Sequence, residues 1–352
     1  MMKSLLKTKN QKDDYYSHDR IREMNDEIRE IVENILPKIQ VWGVGGMGNN
    51  VINRLMTMSG ERAEIIAVNT DSQHLGNVMA DKKLLIGKKI ATSCNNLKNG
   101  ELSAIKTAND IKQILKEDLV FIIYGLGGNT GAGVGPVIAK LAQEMGALTL
   151  AVCTLPFRME GRKSVRNAIE GLKRIRRSSN TLIIVPNESL LHFSPNLTLE
   201  RAFEISNEII ARGIKGIIDL ILEPQLINID FGDIRRMIAN GSIAMISYGE
   251  SNSSSNKVEE AVTKVLENPL LYNKELSTIR QTLICIYSGD SLKLSEAHSA
   301  ILGISAHLNA DAEIIWGALI EPELGSSLRI ICIFSESTKS NIQLSSIEKI
   351  IQ

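Results

Sequence analysis

Residues 125–136 read GLGGNTGAGVGP, six glycines in twelve, with Asn129 and Thr130 the only polar side chains. A second glycine stretch, GVGGMGNN (43–50), carries Gly43, Gly45 and Gly48 in the spacing G-x-G-x-x-G. Without Cβ atoms, backbone N–H groups can turn into a concave nest that binds anions, and Thr130 adds a hydroxyl. The alternative is that the glycines serve only close strand–helix packing. Alone, GVGGMGNN fits a dinucleotide site, with Asp71 the acidic residue expected some twenty positions on. The second glycine loop argues against that reading, because two such loops at one sheet edge suit several phosphates held from two sides. Neither is a Walker A motif, since no Gly-Lys-Ser/Thr follows. A third stretch, LINIDFGDIRR (226–236), puts Asp230 and Asp233 three residues apart where a helix begins. Carboxylates there can cap the helix, or they can polarise a water or bind a metal; the spacing does not choose.

These loops must be held by strands and helices. Short apolar runs at 39–44, 64–69, 119–124, 148–153 and 181–186 alternate with helical patterns such as VIAKLAQEM and SVRNAIEGLKRI. That rhythm predicts βαβ units and a doubly wound parallel sheet covered on both faces. A long helical pattern follows from Leu199 to Leu222 and ends before Pro224. Beyond it come GSIAMISYG, a helix near 257–267, and strands at QTLICIY, AEIIWG and LRIICIF, read as a separate strand set in a smaller α/β domain. The expected divisions are an N-terminal extension (1–37), a nucleotide-binding domain (38–200), a central helix and loop (201–233), a C-terminal domain (234–337) and a short tail (338–352). In the extension, Ile21, Met24, Ile28, Ile31 and Ile35 step by three and four, one face of an amphipathic helix.

Composition narrows the function classes. Lys plus Arg and Asp plus Glu are both 40, and aromatics are 4 %, so nothing favours nucleic acid. The cluster Lys173, Arg174, Arg176 and Arg177 reads as the basic end of a helix. Four separated cysteines give neither a zinc site nor a disulfide framework, and no apolar run has transmembrane length. The pattern points to a reducing compartment, the cytoplasm.

With GVGGMGNNVINRL, AVNTDSQHL, GLGGNTGAGVGP, TLPFRMEG, VPNESLL, LINIDFGDI and IIWGA in this order, the chain resembles the tubulin/FtsZ family, and within it the archaeal FtsZ cell-division GTPases. The resemblance covers about Gln40 to Phe334. It implies a site for GTP or GDP with Mg²⁺: Gly45, Gly46, Met47 and Asn49 in the first loop, Asn49 towards the guanine, with Asp71 in the second. Gly127, Gly128, Asn129, Thr130 and Gly131 would hold phosphates. Glu160 would meet the ribose, with Arg162 beside it, and Asn187, Phe203 and Asn207 would form the base pocket. Asn228, Asp230 and Asp233 correspond to the family's loop that enters the next subunit's nucleotide site, so head-to-tail association into filaments is implied. No resident metal cluster is expected. The implied partners are further copies of the chain, another FtsZ and membrane-anchoring division proteins, at the division site.

Departures from the family pattern cluster around the γ-phosphate. The stretch IATSCNNLKNG (90–100) lacks the family's Gly-Ala-Gly segment, and Lys98 offers a charge there instead. The family's GGGTGTG reads GGNTGAG, with Asn129 and Ala132 replacing Gly and Thr, and Ser164 stands where an Arg is usual. Asn129 would suit either a phosphate contact or a backbone of positive φ. Two readings follow: a GTPase with weakened hydrolysis, or a degenerate paralogue that binds nucleotide and modulates other FtsZ filaments.

Overall fold

The computed structural model describes residues 36–58, 62–87, 96–116, 118–193, 198–223, 226, 229–239, 243–253, 255–271, 275–290 and 292–336. The expected helix at 21–35, Asn228, Cys94 and the tail fall outside them. The chain divides into two compact units, Met1–Pro37 and Lys38–Gln352, and the second carries the sheet.

Its elements run β1 (Ile39–Val44), α1 (Gly45–Met58), β2 (Glu64–Asn69), α2 (Ser72–Asn77), β3 (Lys82–Leu85), α3 (Leu97–Lys106), α4 (Ala108–Ile114), β4 (Leu119–Gly125), α5 (Asn129–Glu144), β5 (Leu148–Leu155), α6 (Arg162–Ile175), β6 (Thr181–Pro186), α7 (Glu188–Phe193) and α8 (Leu199–Leu222). Then follow α9 (Phe231–Ala239), β7 (Ile243–Ser251), α10 (Lys257–Leu266), β8 (Gln281–Ser288), α11 (Leu294–Ser305), β9 (Glu313–Ile320) and β10 (Leu328–Glu336).

The strands form one sheet in the order β3-β2-β1-β4-β5-β6-β7-β10-β8-β9. From β3 to β6 every pairing is parallel. Successive side chains point to opposite faces: Phe121 and Ile123 join a core with α8, while Ile122 and Tyr124 join one with α5 and α6. Burial on both faces explains the unbroken apolar runs.

The second strand set is not separate. β7 continues the sheet beside β6 through a short parallel seam, Leu182 opposite Ile243 and Ile183 opposite Ala244. β10 lies antiparallel between β7 and β8, with its own core under α10 and α11. The seam satisfies β6 main-chain groups that an edge strand would leave unpaired.

Helix α8 is the spine. Thr198 caps it by accepting from the Arg201 N–H, and 24 residues at about 1.5 Å each make it roughly 36 Å long. Its polar positions tie the two strand sets together. Glu208 pairs with Arg54 of α1 and with Arg212. Buried Asp219 pairs with Lys215 and accepts a 2.9 Å hydrogen bond from Tyr287 of β8. Both partners are needed, because an isolated buried carboxylate is costly. Burial first, and then the Asp219 charge, push the Tyr287 phenol well above its ordinary range.

Candidate nucleotide site

The order β3-β2-β1-β4-β5-β6 reverses direction between β1 and β4. At such a switch point two chains leave the sheet in opposite directions from neighbouring carboxyl ends and open a crevice. Both glycine stretches lie at this point, and a cleft of about 750 Å³ opens there.

The first loop is the start of α1. Gly45 has φ +72°, a conformation that favours glycine. A Cβ on Gly48 would lie 2.2 Å from the Ile123 carbonyl oxygen, so α1 presses directly on β4. A Cβ on Gly46 would meet nothing within 4 Å.

The second loop departs from expectation. Its helix begins at Asn129 rather than near Val137 and contains Pro136. Its glycines therefore divide into two groups. Gly133 and Gly135 pack backwards, where Cβ atoms would lie 2.6 Å from the Leu97 carbonyl oxygen and from the Tyr124 ring. Gly125, Gly127, Gly128 and Gly131 line the cleft. Gly128 precedes the helix without a side-chain cap, and the first helical bond runs from Ala132 N to Gly128 O. The N–H groups of Thr130 and Gly131 thus belong to the first turn of a helix, whose N-terminus favours an anion.

Asn129 sits in the first turn with ordinary helical backbone, so a positive φ is not its purpose. Its Oδ1 accepts a 2.9 Å hydrogen bond from Asn167 Nδ2 on α6. Thr130 and Thr70 share a hydroxyl hydrogen bond of 2.9 Å, joining this loop to the end of β2. Ala132 is fully buried outside the cleft, and a Cβ on Gly171 would lie 3.2 Å from its own Cβ. Restoring the family residue by Ala132→Thr therefore overpacks the contact between α5 and α6. It is expected to cost about 1–3 kcal/mol of stability, read as a lower Tm, without raising nucleotide turnover.

The far end of the cleft is set by α8. Glu200, Phe203, Glu204 and Asn207 all line it and repeat at helical spacing, forming one stripe. Phe203 meets Phe157 edge-on, with ring centroids 5.4 Å apart. Asn187, at the end of β6, also lines the cleft, and its Oδ1 accepts from Ser206 3.1 Å away. Glu160 lines the wall between the two ends, its Oε1 accepting from the Phe157 N–H at 2.9 Å. Cys153, beside cleft-lining Thr154, is no nucleophile: burial pushes its thiol up to about 12, though the Tyr124 hydroxyl works the other way.

The cleft thus gathers Gly45, Gly46, Met47, Gly127, Gly128, Asn129, Thr130, Gly131, Glu160, Asn187, Phe203 and Asn207. Asn49 is not among them. Its side chain is fully buried, 3.5 Å from His74 Nδ1, and the neighbouring Asn50 lines the cleft instead. On a helix, adjacent residues point about 100° apart, so only one of the pair can face the ligand. Asp71 lies outside the lining and caps α2, accepting from the N–H groups of Gln73 (2.9 Å) and His74 (3.1 Å). Arg162 and Lys98 are exposed on α6 and α3 and do not line the cleft. Sequence reading missed Asn50, Thr154, Pro156, Glu200 and Glu204; the α8 stripe through Phe203 and Asn207 was the available signal for the two glutamates.

Asp230 and Asp233 are elsewhere. Asp230 is exposed, and its Oδ1 accepts from the Gly232 N–H at 2.9 Å; Asp233 pairs with Arg236. Helix α9 is anchored near the amino ends of the strands, where Thr181 Oγ1, at the first residue of β6, donates to the Ile238 carbonyl at 2.7 Å. The cleft is at the carboxyl ends, at the other end of α8.

Among the described residues, no three His, Cys, Asp or Glu side chains come together to hold a metal. Mg²⁺ does not require such a set, since it binds through one or two carboxylates plus substrate phosphates. The hydroxyl and carboxylate donors of this cleft fit that role.

This architecture, helix N-termini converging at the switch point of a doubly wound sheet, defines a nucleotide-binding α/β protein. Residues 38–195 match the Tubulin/FtsZ family, GTPase domain, and residues 242–337 match the FtsZ family, C-terminal domain. The chain belongs to the tubulin/FtsZ family. It is 42 % identical over 315 residues to cell division protein FtsZ 1 of Thermococcus kodakarensis, covering 88 % of this chain and 84 % of that one. Against cell division protein FtsZ 1 of Methanocaldococcus jannaschii the identity is 41 % over 313 residues, covering 88 % and 85 %. A solved empty FtsZ dimer from M. jannaschii superposes with a TM-score of 0.82 at 41 % identity, covering 88 % and 91 %. CetZ1 of Haloferax volcanii shares the fold, with a TM-score of 0.75 at 17 % identity over 89 % and 98 %.

Proposed function

We propose that this chain is an FtsZ of cell division that binds GTP and GDP, assembles head to tail, and hydrolyses GTP where two subunits meet. The observation that carries the reading is the opposition of two half-sites. The anion-binding helix termini and Phe203 line a cleft at the carboxyl ends of the strands, whereas Asp230 and Asp233 lie beyond the other end of a helix about 36 Å long. A chain built this way cannot bring its own carboxylates to its own nucleotide. Stacking copies head to tail joins the two halves, and a heterologous contact of that kind propagates into a filament.

In this reading the α1 and α5 N-termini bind the phosphates, Glu160 the ribose, and Asn50, Asn187, Phe203 and Asn207 the guanine. Asp230 and Asp233, with Asn228, orient the attacking water in the neighbouring subunit's cleft. Mg²⁺, when bound, offsets phosphate charge in a reaction that is mainly positioning and electrostatics. The partly buried hydrogen bond from Asn167 to Asn129 supports an accommodated loop rather than a degenerate one. The family relationship supports work in the cytoplasm at the division site, with membrane-anchoring division proteins as further partners. Among the described residues, no helix is long and apolar enough to cross a membrane.

Ligand-induced thermal stabilisation tests the nucleotide assignment. GDP is expected to raise the Tm and NAD to leave it unchanged. Phe203→Ala is expected to weaken GDP binding by about 1–3 kcal/mol, the range for a base stacked on an aromatic ring. Equal stabilisation by NAD, or a Phe203→Ala chain that binds GDP as the wild type does, contradicts the assignment.

A further inference from the structure

We propose that Asn167 on α6 is a positioning residue that aims the Gly128 N–H at the nucleotide's phosphates; the proposal rests on the nucleotide reading above. Asn167 Nδ2 donates to two acceptors, the Gly127 carbonyl oxygen at 3.1 Å and Asn129 Oδ1 at 2.9 Å. A carboxamide nitrogen has two hydrogens, so both bonds form together. In a trans peptide the carbonyl and the following N–H point in opposite directions. Drawing the Gly127 carbonyl towards α6 therefore turns the Gly128 N–H away from α6, on the residue that lines the cleft.

The peptide between Gly127 and Gly128 needs such a tether. On its upstream side, Leu126 N–H bonds to the Thr154 carbonyl at 3.0 Å; on its downstream side, Ala132 N–H bonds to the Gly128 carbonyl at 3.1 Å. Between these fixed points stand two glycines, the residues freest to rotate. Without Asn167 the peptide can flip and present a carbonyl oxygen to an anion. Asn167 itself does not line the cleft, so its effect passes through Gly128. The bond to Asn129 fixes the first residue of α5 by the same side chain, which gives this chain's Asn in the glycine loop a purpose.

The test compares wild type, Asn167→Ala and Asn167→Asp, each checked for folding by Tm. Affinities for GDP and for guanosine are measured by competition against a fluorescent GDP. Losing one aimed donor to a charged phosphate predicts a roughly 10- to 100-fold weaker GDP affinity for Asn167→Ala, with guanosine affinity unchanged. Asn167→Asp has the same shape but offers no donor at neutral pH, so it is expected to lose more than Asn167→Ala. A packing role predicts the opposite order. Should Asn167→Ala fail to fold, the isosteric Asp variant decides alone. Variants that bind GDP like the wild type, or that lose guanosine affinity equally, overturn the proposal. A wild type that binds no GDP overturns the nucleotide reading itself, and this proposal with it.

Discussion

A chain carrying Asp230→Asn is expected to bind GTP like the wild type and to turn it over at least about a hundredfold more slowly, the usual range for removing a group that acts on the reacting proton or water. The Asn substitution is chosen because Asp230 Oδ1 accepts from the Gly232 N–H; an amide oxygen keeps that bond while the charge is lost. Asp233→Ala is expected to abolish hydrolysis in the same way. The arrangement makes a sharper prediction about mixtures. Asp230→Asn subunits have intact clefts, and subunits with a blocked cleft have intact carboxylates. Mixed, they form interfaces in which one supplies the cleft and the other supplies Asp230, so activity returns that neither has alone. Catalysis within one subunit predicts no recovery.

Gly128→Ala supplies the blocked cleft, and it is the second large effect. A Cβ there would meet nothing within 4 Å, and the backbone at φ −84° and ψ 148° suits alanine. Folding is therefore untouched or slightly favoured, by about 0.4–1 kcal/mol through the unfolded state. The added methyl occupies space beside the α5 N-terminus that a phosphate needs, and overpacking of about 1–3 kcal/mol corresponds to roughly a 5- to 150-fold loss in GDP affinity. Gly46→Ala is expected to behave likewise, since its Cβ also meets open space. Gly48→Ala has a different result. Its Cβ would lie 2.2 Å from the Ile123 carbonyl oxygen, so stability falls by about 3 kcal/mol or more. Calorimetry and GDP titration of the three variants separate ligand glycines from packing glycines.

That separation marks where the sequence was legible. Strands buried on both faces announced themselves as apolar runs, and β1, β2 and β6 span the expected residues. Helix α8 was legible from its apolar period and from the proline after it. Strand β3, reading KKLL at the sheet edge, carries no such signal, because an edge strand is half exposed and favours charge. The seam between β6 and β7 rests on two residue pairs and leaves no pattern in either strand.

Within the candidate site, the glycine count marked the loops that line the cleft but not the role of each glycine. Gly133 and Gly135 are glycine because α3 and Tyr124 approach α5, and those neighbours are distant in sequence or on the preceding strand. The choice between Asn49 and Asn50 depends on the rotation of α1, which Gly45 sets through its φ of +72°. Composition does not record that angle. Glu200 and Glu204 were readable from helical spacing once Phe203 and Asn207 had been placed on α8. The separation of Asp230 and Asp233 from the cleft follows from the length of that helix, so it too was within reach of the sequence.

The central claim is that the cleft and the carboxylates belong to different subunits in catalysis. Steady-state phosphate release per subunit, measured across a dilution series of the wild-type chain at saturating GTP, tests it most directly. The account predicts that turnover per subunit is near zero in dilute solution, rises as subunits associate, and levels off once most clefts are covered. Turnover per subunit that stays constant down to concentrations at which sedimentation finds only monomers contradicts it.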